Sequence, residues 1–79
     1  MTHVYILELS DTEGHNHFID VCADNLELAK GLIQKDYDDS PHHSDKWILL
    51  WRRSTGYDGW EASAPFGVYM VDRMEVTEQ

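Results

Sequence analysis

Residues 24–38 read DNLELAKGLIQKDYD, and this stretch decides the fold. Leu26, Ala29, Ile33 and Tyr37 recur at i, i+3, i+7 and i+11, with Leu28 and Leu32 flanking, which is the period of one buried helical stripe. Asp24 is expected to cap the helix by accepting from the free amide of Glu27, while Glu27 reaches back in an Asp variant of the capping box. Both carboxylates then sit at the positive end of the helix dipole. The stripe is expected to end near Asp38. Gly31 inside it costs ~1 kcal/mol relative to Ala, and a close approach of the helix to a sheet would explain its presence.

Strand patterns flank the helix on both sides. Residues 4–9 (VYILEL) place Tyr5, Leu7 and Leu9 on one face and Val4, Ile6 and Glu8 on the other. Residues 10–14 (SDTEG) are turn-forming, so residues 15–21 are expected to close a hairpin, with His17, Ile19 and Val21 on one face and Phe18 and Asp20 opposite. After the helix, residues 38–45 (DDSPHHSD) read as an exposed loop. Residues 46–53 (KWILLWRR) read as a strand with Trp47, Leu49 and Trp51 on one face and Ile48 and Leu50 on the other. A strand apolar on both faces is expected to be central or covered. Residues 54–59 form a turn, 60–64 a short edge strand broken by Pro65 and Gly67, 68–76 a last strand and 77–79 a frayed tail. The expected class is α+β, a single domain over residues 1–79. Its expected order is β-β-α-β-β-β, with one helix packed on one face of a small antiparallel sheet. The other sheet face, mixed in aromatic and charged residues, is expected to be half-exposed or to receive a partner.

Composition narrows the function classes. Fifteen carboxylates against six Lys and Arg give a net charge of −9 on 79 residues. That balance repels nucleic-acid backbones and anionic membranes and favours a basic partner. Residues 1–45 hold ten of the carboxylates and only Lys30 and Lys35 as cations. With 42% apolar residues, including three Trp, four Tyr and two Phe, the chain can offset the entropy cost of folding. A chain this short has a stability of roughly 4–12 kcal/mol and little material for a walled catalytic cleft, so a non-enzymatic protein is expected. Cys22 is the one cysteine, which excludes an intramolecular disulfide and points to a reducing cytoplasm. No basic, apolar leader follows Met1, so no signal peptide is expected, and no apolar run reaches a membrane span.

No complete catalytic or cofactor motif is present. The run His15-Asn16-His17 shares only letters with a nuclease motif whose residues lie apart along the chain. His15 and His17 point to one side of a strand and, with His42, His43 and nearby carboxylates, define an alternative reading as a small metal-binding domain. The loop lacks the Gly and bidentate Glu of an EF-hand, so no metal ligand and no cofactor is assigned. Cys22 reads as a small core residue. Gly56 and Gly59 bracket a hairpin turn, not a phosphate loop. Trp47, Trp51, Tyr57 and Trp60 beside Arg52 and Arg53 can form a base-stacking platform, but the net charge opposes it. Core packing for two Trp, or a Trp-Arg protein contact, fits better. Asp36, Asp38 and Asp39 lie at the negative end of the helix dipole, where they are mildly destabilising.

The layout resembles that of short phage-encoded accessory proteins. The resemblance rests on the opening strand His3-Val4-Tyr5-Ile6-Leu7, a Gly turn and second strand, and the helix start Asp24-Asn25-Leu26-Glu27-Leu28-Ala29-Lys30. A Lys46-Trp47 strand and the closing Tyr69-Met70-Val71-Asp72-Arg73 complete it. It covers nearly the whole chain as a pattern, without a diagnostic motif. The resemblance implies a cytoplasmic protein of the bacterial host cell that inhibits host machinery. The expected function is therefore an acidic interaction protein that binds a basic surface of a nucleic-acid-handling or defence protein and mimics nucleic acid. Asp20, Asp24, Glu27, Asp36, Asp38, Asp39 and Asp45 would supply the field, and Trp51, Tyr57 or Trp60 an anchor. A homodimeric structural or assembly factor is a further alternative.

Overall fold

The computed structural model describes residues 2–23 and 25–76. Strand β1 (Thr2–Asp11) and β2 (Asn16–Ala23) precede helix α1 (Leu26–Asp39), and β3 (Trp51–Arg53), β4 (Gly59–Ala64) and β5 (Gly67–Val76) follow. All five strands join one antiparallel sheet in the order β2-β1-β5-β4-β3. The protein is an α+β domain with the helix on one sheet face. Asp24 and residues 77–79 lie outside the described residues.

The helix begins one residue later than the sequence suggests. Asn25 is the cap, in extended conformation, and its side-chain oxygen accepts from the Leu28 amide at 3.0 Å. Asn caps as well as Asp, and this choice starts the helix where its apolar stripe starts. The third helical residue is then Leu28, and the expected Asp24–Glu27 capping box rests on Asp24, which lies outside the described residues. Glu27 lies 3.7 Å from Lys30 on the surface.

Ala29, Ile33 and Tyr37 point into the core, as their spacing requires, against Tyr5 and Leu7 of β1, Cys22 of β2 and Tyr69 and Val71 of β5. Full burial of a side chain the size of Ile33 or Leu7 stabilises by ~1.5–3 kcal/mol. At the end of α1, Tyr37 stacks on Phe66 with ring centroids 5.8 Å apart, and Tyr69 meets both rings edge-on. The Tyr37 hydroxyl donates to the Ser44 carbonyl and accepts from the Ser44 amide at 2.8 Å, which folds the following loop back over the sheet. Gly31 is not explained by a close approach. A Cβ there would meet nothing within 4 Å, because the residue faces solvent.

Two strand expectations are corrected by the pairing. The segment read as a central strand over 46–53 is the sheet edge, with only Trp51–Arg53 paired, and the segment read as an edge strand, β4, lies inside between β5 and β3. The alternation itself is as expected: Leu49 is buried and Trp47 donates from Nε1 to the Ser63 carbonyl at 2.8 Å. Ile48 and Leu50 are 75% and 73% exposed. In β2 the strict alternation fails, because the register shifts opposite Leu7 and Glu8 and leaves Ile19 as the extra residue. Phe18 pairs with Glu8 and Val21 with Ile6, so Phe18 and Val21 share one face instead of opposing each other.

Candidate interaction surface

Helix α1 covers one face of the sheet, and the opposite face is open. Cross-strand partners share a face, so the register defines its rows. Phe18, Glu8, Met70, Glu61 and Arg52 form one row across all five strands. Val21, Ile6, Asp72 and Gly59 form the next, and Val4 and Met74 the one beyond. Phe18 is 67% exposed, and Val21 and Met74 nearly half exposed. These exposed apolar side chains are interleaved with Glu8, Glu61, Arg52 and Asp72, so the face is mixed in character.

Gly59 shapes this face. A Cβ there would collide with the Val71 carbonyl oxygen and with the Tyr57 ring, so only Gly lets that ring lie flat on the strand. Burial, with the nearby charge of Glu61 and then Asp72, pushes the Tyr57 hydroxyl above its ordinary pKa. Glu8, Glu61 and Asp72 are half-buried, and among the described residues no Lys or Arg lies within ion-pair distance of them. Arg52, the cation on this face, donates from Nη1 to Ser63 Oγ at 3.1 Å instead.

The helix side of the sheet carries a second cluster where α1 does not reach. Asp58 accepts from Arg73 through both carboxylate oxygens at 3.0 Å and from Arg53 at 2.6 Å. Both guanidiniums lie over the Trp60 ring, 4.6 and 5.2 Å from its centroid, and Tyr5 tilts against the same ring. Arg73 first and Arg53 second hold the Asp58 carboxyl down at about 2, and Asp58 in turn pushes Arg73 up. Trp60 is therefore already engaged by its own chain.

The predicted partner residues fall at separate places. Asp20 is exposed on edge strand β2 and accepts from the Val21 amide. Glu27 lies on the first turn of α1, and Asp38 and Asp39 end the helix, with no basic residue in its last turn. Asp36 is exposed, yet its carboxylate accepts from the hydroxyl of buried Tyr69 at 3.0 Å, and burial together with that carboxylate pushes the Tyr69 hydroxyl up. Asp45 is fully exposed, 3.3 Å from His43 Nε2. The Ser40 carbonyl chiefly, and then Asp45, raises the His43 pKa. Trp51 and Trp60 are half-buried on the helix side, and Tyr57 is half-buried on the open face. Asp24 lies outside the described residues.

The histidines of the first hairpin are organised by Asp11. His17 Nε2 lies 2.7 Å from Asp11 Oδ2, and Asp11 Oδ1 accepts the amides of Glu13 and His15, so this trio closes the β1–β2 turn with Gly14 at φ +89°. The His17 hydrogen bond first, and the His15 amide second, hold Asp11 at about 2. Among the described residues no three His, Cys, Asp or Glu are placed to share a metal ion. Among the described residues no helix is long and apolar enough to cross a membrane. Comparison of the chain with protein-family models, with characterised proteins and with solved structures finds no match.

Sequence reasoning singled out the carboxylates around the helix and missed Glu8, Glu61 and Asp72. The signal for them was present. Met70, Asp72 and Met74 alternate with Tyr69, Val71 and Arg73 along one strand, which puts a carboxylate at the centre of an apolar face.

Proposed function

We propose that this chain is a non-enzymatic, acidic interaction protein that binds a basic surface of another protein. A nucleic-acid-handling or defence protein, inhibited in the phage manner, is the partner class. One observation carries the reading: exposed carboxylates dominate the end of α1 and the loop after it, while Arg53 and Arg73 are tied to Asp58 and Lys30 to Glu27. The remaining field is negative and long-ranged at low salt, which steers a basic partner and speeds encounter.

The test is affinity capture from a bacterial lysate at low salt and at ~0.5 M salt, where the Debye length falls to roughly 4 Å. One basic protein retained at low salt and released at high salt is the expected result. The charge-reversal variant is Asp38→Lys/Asp39→Lys/Asp45→Lys, which spares Asp36 because that carboxylate accepts from the core hydroxyl of Tyr69. It should lose the partner while keeping the native circular dichroism. Undiminished capture by this variant sinks the electrostatic reading.

A further inference from the structure

We propose that the open sheet face is the docking surface of this domain and that its occupant is a basic amphipathic helix of a different protein. Lys or Arg side chains of that helix would sit on Glu8 and Glu61, with Asp72 beside them, and its apolar residues on Met70 and the neighbouring Ile6. The proposal rests on the reading of the chain as an acidic interaction protein: the carboxylates at the end of α1 steer the partner, and the sheet face is the surface it contacts.

Charge chooses the occupant. Glu8, Glu61 and Asp72 are residues of intermediate exposure with no Lys or Arg in ion-pair distance among the described residues, and set beside apolar side chains they call for a ligand that brings both cations and methyl groups. A second copy does not fit. Face to face, the two copies would bring together six carboxylates (Glu8, Glu61 and Asp72 of each) and, among the described residues of the five strands, Arg52 of each as the cation on this face. The outer side of a second α1 is no better, since it presents Glu27, Asp38 and Asp39. Nucleic acid is repelled for the same reason.

Spacing chooses the shape. Glu8 and Glu61 flank Met70 in one row, two strand spacings apart, or ~9.5 Å. Residues i and i+7 on a helix are ~10.5 Å apart on the same side, with i+3 and i+4 between them. Cations at i and i+7 with an apolar residue between match this row. The other face of the sheet is completed in the same way, by an amphipathic helix laid across it.

The probe is a synthetic helical Leu/Lys peptide with Lys at i and i+7 and Leu at i+3 and i+4, followed by methyl and amide NMR of the full chain. A scrambled Leu/Lys peptide and a Leu/Glu peptide are the controls. Saturable shifts on Ile6 and Met70 are expected, larger than those on Met74, with the scrambled and acidic peptides weak. Glu8→Gln/Glu61→Gln, which keeps shape and removes charge, should weaken binding about tenfold. Asp38→Asn/Asp39→Asn, which lie off this face and act only through the long-range field, should weaken peptide binding less than Glu8→Gln/Glu61→Gln does. Shifts confined to the end of α1, with the sheet methyls silent, would overturn the docking surface and leave the acidic-interaction reading standing. Equal binding of the Leu/Glu peptide, or of none, would remove both. A chain that sediments as a dimer without peptide and loses those methyl shifts on dilution would make a second copy the occupant and overturn the proposal.

Discussion

The two faces of the sheet are built from the same strands and have opposite fates. On the helix side, Tyr5, Leu7, Tyr69 and Val71 lie beneath Ala29, Ile33 and Tyr37. On the other side, Ile6, Met70 and Asp72 alternate with them residue by residue and meet no second layer. The difference teaches where stability and recognition reside. One layer of helix supplies the core, and a 14-residue helix spans only ~21 Å of a domain 44 Å long. The open face contributes little to folding and is available for binding.

The sharpest way to break that comparison is a pair of truncations. Ile33→Ala should destabilise the fold by ~2–5 kcal/mol, enough to unfold much of a domain whose total is of similar size. Met74→Ala on the open face should stay within ~0.5 kcal/mol. Urea denaturation followed by tryptophan fluorescence measures both. Equal losses would mean that the open face is already covered in solution.

Much of this contrast was legible in the chain. The i, i+3, i+7 stripe from Leu26 to Tyr37 specified the helix and its buried face, and the alternation in residues 4–9 specified both faces of β1. What escaped reading was set by long-range pairing or by one-residue choices. The bulge at Ile19 leaves no compositional mark, yet it turns Phe18 to the same side as Val21. Asp24 and Asn25 are equivalent caps, so local chemistry could not pick between them. Ile48 and Leu50 look like core residues, and only the placement of β4 beside β5 puts them on an exposed edge. The site was partly legible for the same reason. Alternation in β5 placed Asp72 among Met side chains, but Glu8 and Glu61 join it only through sheet register.

A second substitution sharpens the helix side. The outer surface of α1 is open at Gly31, where an added Cβ meets nothing within 4 Å. Gly31→Ala should therefore stabilise the chain by ~1 kcal/mol by reducing the freedom of the unfolded state. The urea midpoint should rise with an unchanged slope. A neutral or negative result would show that this helix surface is in contact with something in solution.

The smallest expected effect concerns the stretch of the helix side that α1 leaves bare. There Arg53, Arg73 and Asp58 lie over Trp60 in place of a helix, which makes a polar lid the alternative to an apolar layer. The Asp58 carboxyl is held at about 2 when folded and titrates near 3.9 when unfolded. A carboxylate depressed by folding stabilises above its unfolded value, and that contribution fades as pH falls through the folded value. Asp58→Asn should thus be less stable than the parent at pH 5, and the gap should close between pH 4 and about pH 2. Because Asp58 is half exposed, the gap is expected to be small and to shrink with added salt. Asp11 titrates in the same acid range, but it is present in both proteins and cancels from their difference. Paired urea midpoints at pH 5 and pH 2 decide the point. A gap of constant size would mean that the two arginines cover Trp60 without help from Asp58, and that stacking on the ring alone closes this end of the fold.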